Sequence, residues 1–106
     1  MFARRVYLHL KPNSVAELTQ RLEKEIIPLL RKQKGFQDEI TLVAPGGLEA
    51  VGISFWDQKE NAEAYSRTTY PEVQKALAKV VEGTPQVQTY EVANSTFHKI
   101  AARVAA

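Results

Sequence analysis

The sequence predicts an α+β domain of the ferredoxin-like class, a four-stranded antiparallel sheet with helices on one face, in the order βαββαβ. Three observations predict it. The stretch Val51 to Tyr65, VGISFWDQKENAEAY, is an alternating apolar run that ends in Trp56 and turns at once into a helical segment. Arg4 to Leu10 alternates in the same way and precedes a long apolar stripe of helical period. Pro45, Gly46 and Gly47 separate two alternating runs so closely that they form an antiparallel hairpin.

Each element has a local reason. In the first strand Val6, Leu8 and Leu10 point one way and Arg5, Tyr7 and His9 the other, and Pro12 stops it. Ser14 with Glu17 has the spacing of a capping box. Val15, Leu18, Leu22, Ile26, Leu29 and Leu30 then form one stripe of a helix. Pro28 removes a hydrogen bond toward Lys24, so a kink or a loosened turn is expected there. Gly35 is a natural left-handed cap. The second strand is Gln37 to Val43 and the third Glu49 to Trp56. Asp57 with Glu60 looks like another capping box, opening a short helix through about Arg67. Thr69, Pro71 and Glu72 restart a helix whose stripe is Tyr70, Val73, Leu77, Val80 and Val81. Gly83 ends it, and the last strand runs from about Gln86 to Ala93.

A chain of 106 residues makes one domain, with a core over about 3–93 and a tail over 94–106 that carries Phe97, His98 and Ile100. Apolar and charged fractions of 44% and 25% are those of a soluble globular protein. A net charge of +2, with basic residues scattered among acidic ones, does not point to nucleic acid. The chain has no cysteine, which removes thiolate nucleophiles, disulfides and sulfur-ligated metals, and fits a reducing compartment. No apolar run is long enough to span a bilayer, and the N-terminus reads as structure rather than a signal peptide. A cytoplasmic protein with no membrane and no nucleic-acid partner is expected.

Pattern also assigns faces. Val6, Leu8, Leu10, Ile40, Leu42, Val51, Ile53, Phe55, Tyr90 and Val92 are expected beneath the helices. Tyr7, His9, Thr41, Val43, Gly52, Ser54, Trp56, Val87 and Thr89 fall on the other face. That second set is too apolar to stand in water on a monomer, so a symmetric homodimer with sheets face to face is expected.

The segments IIPLLRKQKGFQ, ISFWDQKENAEAY and the closing PQVQTYEV resemble the antibiotic-biosynthesis-monooxygenase-like group of the dimeric α/β-barrel superfamily, over most of residues 3–93. The resemblance implies a dimeric α/β barrel with a pocket between helices and sheet. It also implies, for some members, cofactor-free oxygenation of quinol-like or anthrone-like aromatics. The haem-degrading branch is disfavoured. The first strand has no Asn before Asn13, and the helix from Tyr70 to Val81 has no His.

Seven residues are candidates for a site. Tyr65, Arg67 and His9 are the catalytic candidates. Tyr65 would orient a substrate oxygen or donate a proton, Arg67 would neutralise a phenolate or enolate, and His9 would act as a base. Trp56, Asn61, Tyr70 and Phe55 are the substrate-binding candidates, and the outward parity of Trp56 makes it an interface anchor in the competing reading. Two distant histidines without a carboxylate at ligand spacing give no metal site, and the absence of a Gly-rich loop after a strand leaves no nucleotide cofactor. The sequence therefore leads to a cofactor-independent, monooxygenase-like protein acting on a small aromatic molecule. The alternative is a non-catalytic ligand-binding or interaction dimer of the same fold.

Overall fold

The computed structural model describes residues 1–97. The expectations for His98 and Ile100 therefore lie outside the described residues. Strand β1 is Phe2–Leu10, β2 Phe36–Val43, β3 Glu49–Trp56 and β4 Val81–Glu91. They form one antiparallel sheet in the order β2-β3-β1-β4. Between β1 and β2 run α1 (Val15–Arg21), a π-helical segment (Leu22–Ile26) and α2 (Ile27–Arg31). Between β3 and β4 run α3 (Lys59–Thr68) and α4 (Tyr70–Leu77). The βαββαβ order is the ferredoxin-like one that the sequence predicts, and the helices cover one face.

Pro28 explains the first helical region. It has no N–H to offer the Lys24 carbonyl, and its ring would collide with that carbonyl in a regular α-turn. The chain widens just ahead of it, and the Ile27 N–H reaches back to the Leu22 carbonyl. Leu22 and Ile26, on the widened turn, both face the space above the sheet.

The capping boxes do not form. Ser14 and Thr69 make no side-chain cap, and Gln58, not Asp57, is the N-cap of α3. Glu17 instead pairs with Arg21, while Asp57 Oδ1 accepts from Asn61 Nδ2 at 2.8 Å. Asp57 and Asn61 also press on Gly35, where a Cβ would sit 2.2 Å from Asp57 Oδ1. Gly35 has φ +80°, so both its backbone and its neighbours require glycine. Gly83 departs from its expected role as a helix end. Val81 already pairs with Leu10 in the sheet, and the register breaks between Glu82 and Gln86. Gly83, at φ +72°, and Pro85 form this bulge, where no ladder donor is needed.

The register overturns most of the expected faces. Val6 and Leu8 lie beneath the helices as expected, but their partners on β3 are Gly52 and Ala50. Ser54 and Trp56 share that side, as do Glu39 and Thr41 on β2 and Val87 and Thr89 on β4. Ile40, Leu42, Val51, Ile53, Phe55 and Tyr90 belong to the outer face. Trp56 is thus not an outward anchor: it is 0% exposed and sits at the centre of the core with Leu18 and Val80. The outer face is more apolar than expected. Ile40, Leu42, Tyr90 and Phe97 are exposed there, and Phe97 rests edge-on against Phe55 at 6.2 Å.

Candidate functional site

Small residues under the helices leave room. Gly52 and Ser54 fill less of the interlayer space than the branched side chains that β3 turns outward. The result is a cavity of about 60 Å³, counted as room for the centre of a water-sized sphere. One water needs roughly 10–15 Å³ on that measure. Its apolar walls come from Leu18, Leu22, Ile26 and Leu30 above and from Val73 and Leu77 of α4. Its polar groups are Arg4, Glu39, Thr41, Ser54, Tyr65 and Tyr70.

Arg4 is the unusual member. It shares the parity of Val6 and Leu8, which carries its guanidinium under α3 and α4 instead of into water, and it is 3% exposed. Its Nε donates to Ser66 Oγ at 2.8 Å. The guanidinium carbon lies 4.0 Å from the ring centre of Tyr70 and 5.2 Å from that of Tyr65. Two aromatic faces lessen the cost of burying this cation, each by up to about 2 kcal/mol when desolvated. Among the described residues no carboxylate comes within ion-pair distance of it.

Tyr65 and Tyr70 flank the cation from the two sides of the α3–α4 junction. Burial pushes the Tyr65 hydroxyl up to about 12, against the opposing pull of Arg4. Burial raises the Tyr70 hydroxyl as well, again outweighing Arg4. The buried Tyr70 hydroxyl makes no well-formed hydrogen bond; the Arg4 guanidinium, 4.0 Å from its ring centre, is close enough to act on the oxygen as a weak donor and pulls its pKa down against burial. Behind Tyr65 stands Trp56, with ring centres 5.1 Å apart, and the Trp56 Nε1–H donates to Ser54 Oγ at 2.9 Å. Trp56 is a backing wall for Tyr65.

Glu39 faces the cavity from β2, half-buried, and accepts a hydrogen bond from Thr41 Oγ1 at 2.6 Å. Burial raises its pKa by more than the Thr41 bond lowers it. A carboxyl group that is easily protonated, beside an apolar cavity, is suited to exchanging protons with a ligand.

Of the seven residues singled out from sequence, Tyr65 and Tyr70 line this cavity and Trp56 backs it. Asn61 and Arg67 lie on α3 away from it; Asn61 is held by Asp57 and Arg67 is exposed at the helix end. Phe55 and His9 are on the outer face, His9 exposed and edge-on to Tyr7 at 5.1 Å. Arg4 and Glu39 were missed by the sequence reading. The available signal was their parity, since Arg4 falls in step with Val6, Leu8 and Leu10, and a charged residue in step with an apolar set is out of place. Glu39 is in step with Thr41, and only the strand register places it.

No family model matches the chain. No curated protein matches it in sequence. Solved structures do match its shape. A monooxygenase from Streptomyces coelicolor, the product of the gene ActVA-Orf6 in complex with Nanaomycin D, superposes with a TM-score of 0.76 at 15% identity, covering 91% of this chain and 90% of that one. A protein of unknown function from Nitrosomonas europaea gives 0.73 at 18% identity, over 91% and 92% of the two chains. A structure described as an antibiotic biosynthesis monooxygenase gives 0.69 at 13% identity, over 88% and 99%. The chain therefore has the ferredoxin-like fold that the antibiotic biosynthesis monooxygenase structures share.

Proposed function

We propose that the protein is a cofactor-independent monooxygenase of a small quinol-like or anthrone-like aromatic, bound between helices and sheet. The observation that carries this reading is the cavity: apolar walls around room for a few water molecules, with a cation, two phenols and a proton-accepting carboxyl gathered at its floor. The fold likeness to monooxygenases supports it.

The chemistry asks little of the protein beyond position and charge. Glu39 takes a proton from the acidic C–H or O–H of the ligand. The resulting enolate or phenolate gives an electron to dioxygen, and the organic radical and superoxide combine into a peroxide anion, which takes the proton back from Glu39 to become a hydroperoxide. For an anthrone-like CH2 the collapse gives C=O and water, so one oxygen atom enters the product and the other leaves with two hydrogens. Tyr65 orients the ligand oxygen, Arg4 balances charge as it develops, and the apolar walls keep water from the anion. Arg4 thus fills the part that sequence alone gave to Arg67, and Glu39 the part given to His9.

The same reading includes a homodimer closed through the apolar outer face, in the cytoplasm. Oxygen uptake with a panel of anthrones and naphthoquinols tests the activity. Turnover with one product oxygen derived from labelled dioxygen is expected. Glu39→Gln should lower kcat by about 10²-fold or more, the usual worth of a positioned base. Absence of oxygen uptake across the panel would overturn the reading.

A further inference from the structure

We infer that the cavity floor is an anion subsite, built to hold an ionised oxygen of the ligand between the Arg4 guanidinium and the Tyr70 hydroxyl. This deepens the reading of the cavity as a ligand site, on which it rests, but it does not depend on oxygen chemistry. The argument begins with an imbalance. Arg4 is almost wholly buried, yet its polar contacts are one serine hydroxyl and two aromatic faces, with no carboxylate in ion-pair reach among the described residues. A guanidinium has five N–H donors in a planar fork that matches an oxyanion. Leaving such a group buried without a counter-ion is costly, and a bound anion removes that cost.

The second observation concerns the hydroxyl beside that cation. Tyr70 lines the same cavity, is 93% buried by its 7% residual exposure, and its O–H has no acceptor. A buried O–H without an acceptor is a donor awaiting one. Both unmet groups ask for the same thing, an acceptor oxygen carrying negative charge. Glu39, which lines the same cavity from β2, would oppose such a charge if ionised. Burial raises its pKa, so it takes up a proton more readily as such a charge arrives and then becomes a further donor.

The anionic oxygen has two natural sources, a carboxylate on the ring or a phenol or enol that ionises on binding. Three probes distinguish them: benzoate, its neutral isostere benzamide, and phenol. The chain has a single tryptophan, Trp56, packed on Tyr65, so intrinsic fluorescence reports from the site itself.

Benzoate is expected to bind about tenfold or more tightly than benzamide, the worth of a charge-assisted hydrogen bond. Tyr70→Phe should lose most of that preference while melting at the same or a higher temperature, because it removes an unmet polar group. Arg4→Gln should abolish the preference, and if that variant does not fold, Tyr70→Phe decides alone. Phenol affinity that climbs with pH assigns the oxygen to an ionising hydroxyl. Benzoate affinity that exceeds phenol's at every pH assigns it to a carboxylate. Equal binding of benzoate and benzamide overturns the subsite, as does no saturable binding by any probe or a benzoate preference that survives Tyr70→Phe. Oxygen uptake with neutral ligands would then stand without the subsite, and anion binding without oxygen uptake would leave the subsite standing alone.

Discussion

Tyr70 sets apart two roles that usually coincide. Its ring is core, yet its hydroxyl makes no well-formed hydrogen bond in the empty fold. Tyr70→Phe is therefore expected to stabilise the unliganded protein by about 1 kcal/mol, readable in urea titrations, by removing an unsatisfied buried group. Glu39 gives a pH signature. Its folded pKa is raised, so the folded state holds the proton more tightly than the unfolded chain. The fold is favoured below the ordinary carboxyl range, and that stabilisation is lost as pH rises through the raised folded value. Urea titrations from pH 4 upward should show this slope, and Glu39→Gln should flatten it. Activity has the opposite sign, since the base must be ionised, and kcat should climb over the same interval. Gly35→Ala meets both a left-handed backbone and the packed Asp57 and Asn61 side chains. It should cost at least about 1 kcal/mol in the same titrations.

At the scale of elements, the helices and strands were legible and the faces were not. Alternation reveals which residues share a side of a strand, but not which side the helices cover. On β2 and β3 the branched and aromatic set, Ile40, Leu42, Val51, Ile53 and Phe55, is the stronger hydrophobic signal, and the fold turns it outward. The side under the helices carries Ala50, Gly52 and Ser54, small residues whose missing volume is the cavity. A rule that buries the most apolar side fails when both sides are to be covered. Arg4 and Glu39 were overlooked for the same reason. Capping was misread because Asp57 and Glu17 found side-chain partners in place of backbone ones. The π-segment ahead of Pro28 was legible as a disturbance only. Pro28→Ala restores the donor to Lys24 and lets the turn tighten. It should slow amide exchange across Leu22–Arg31 and weaken ligand binding as Leu22 and Ile26 rotate.

For the whole molecule the outer face is the open account. Leu42 is 52% exposed and Ile40 40%, beside Ile53, Phe55 and Tyr90 on one side of the sheet. A second copy of the same face would cover them, as the proposed homodimer requires. Leu42→Lys places a charge in that contact and touches no core residue. Light scattering should show the dimer shifting to monomer, with the melting curve of the monomer unchanged within about 0.5 kcal/mol, the usual range for surface substitutions. A wild-type monomer would sink the dimer and leave the cavity untouched.

The bulge in β4 bears on how such molecules avoid fibres. A sheet whose outer strand offers an unbroken row of donors and acceptors invites other chains to add on without limit. Here that row is interrupted where the register slips between Glu82 and Gln86, and Pro85 presents no donor at all. Strand addition along the whole of this border has no continuous template, only the stretch 86–91. Self-association through a face closes after two copies, whereas association along a border does not, so the break at Gly83 and Pro85 helps keep any assembly finite.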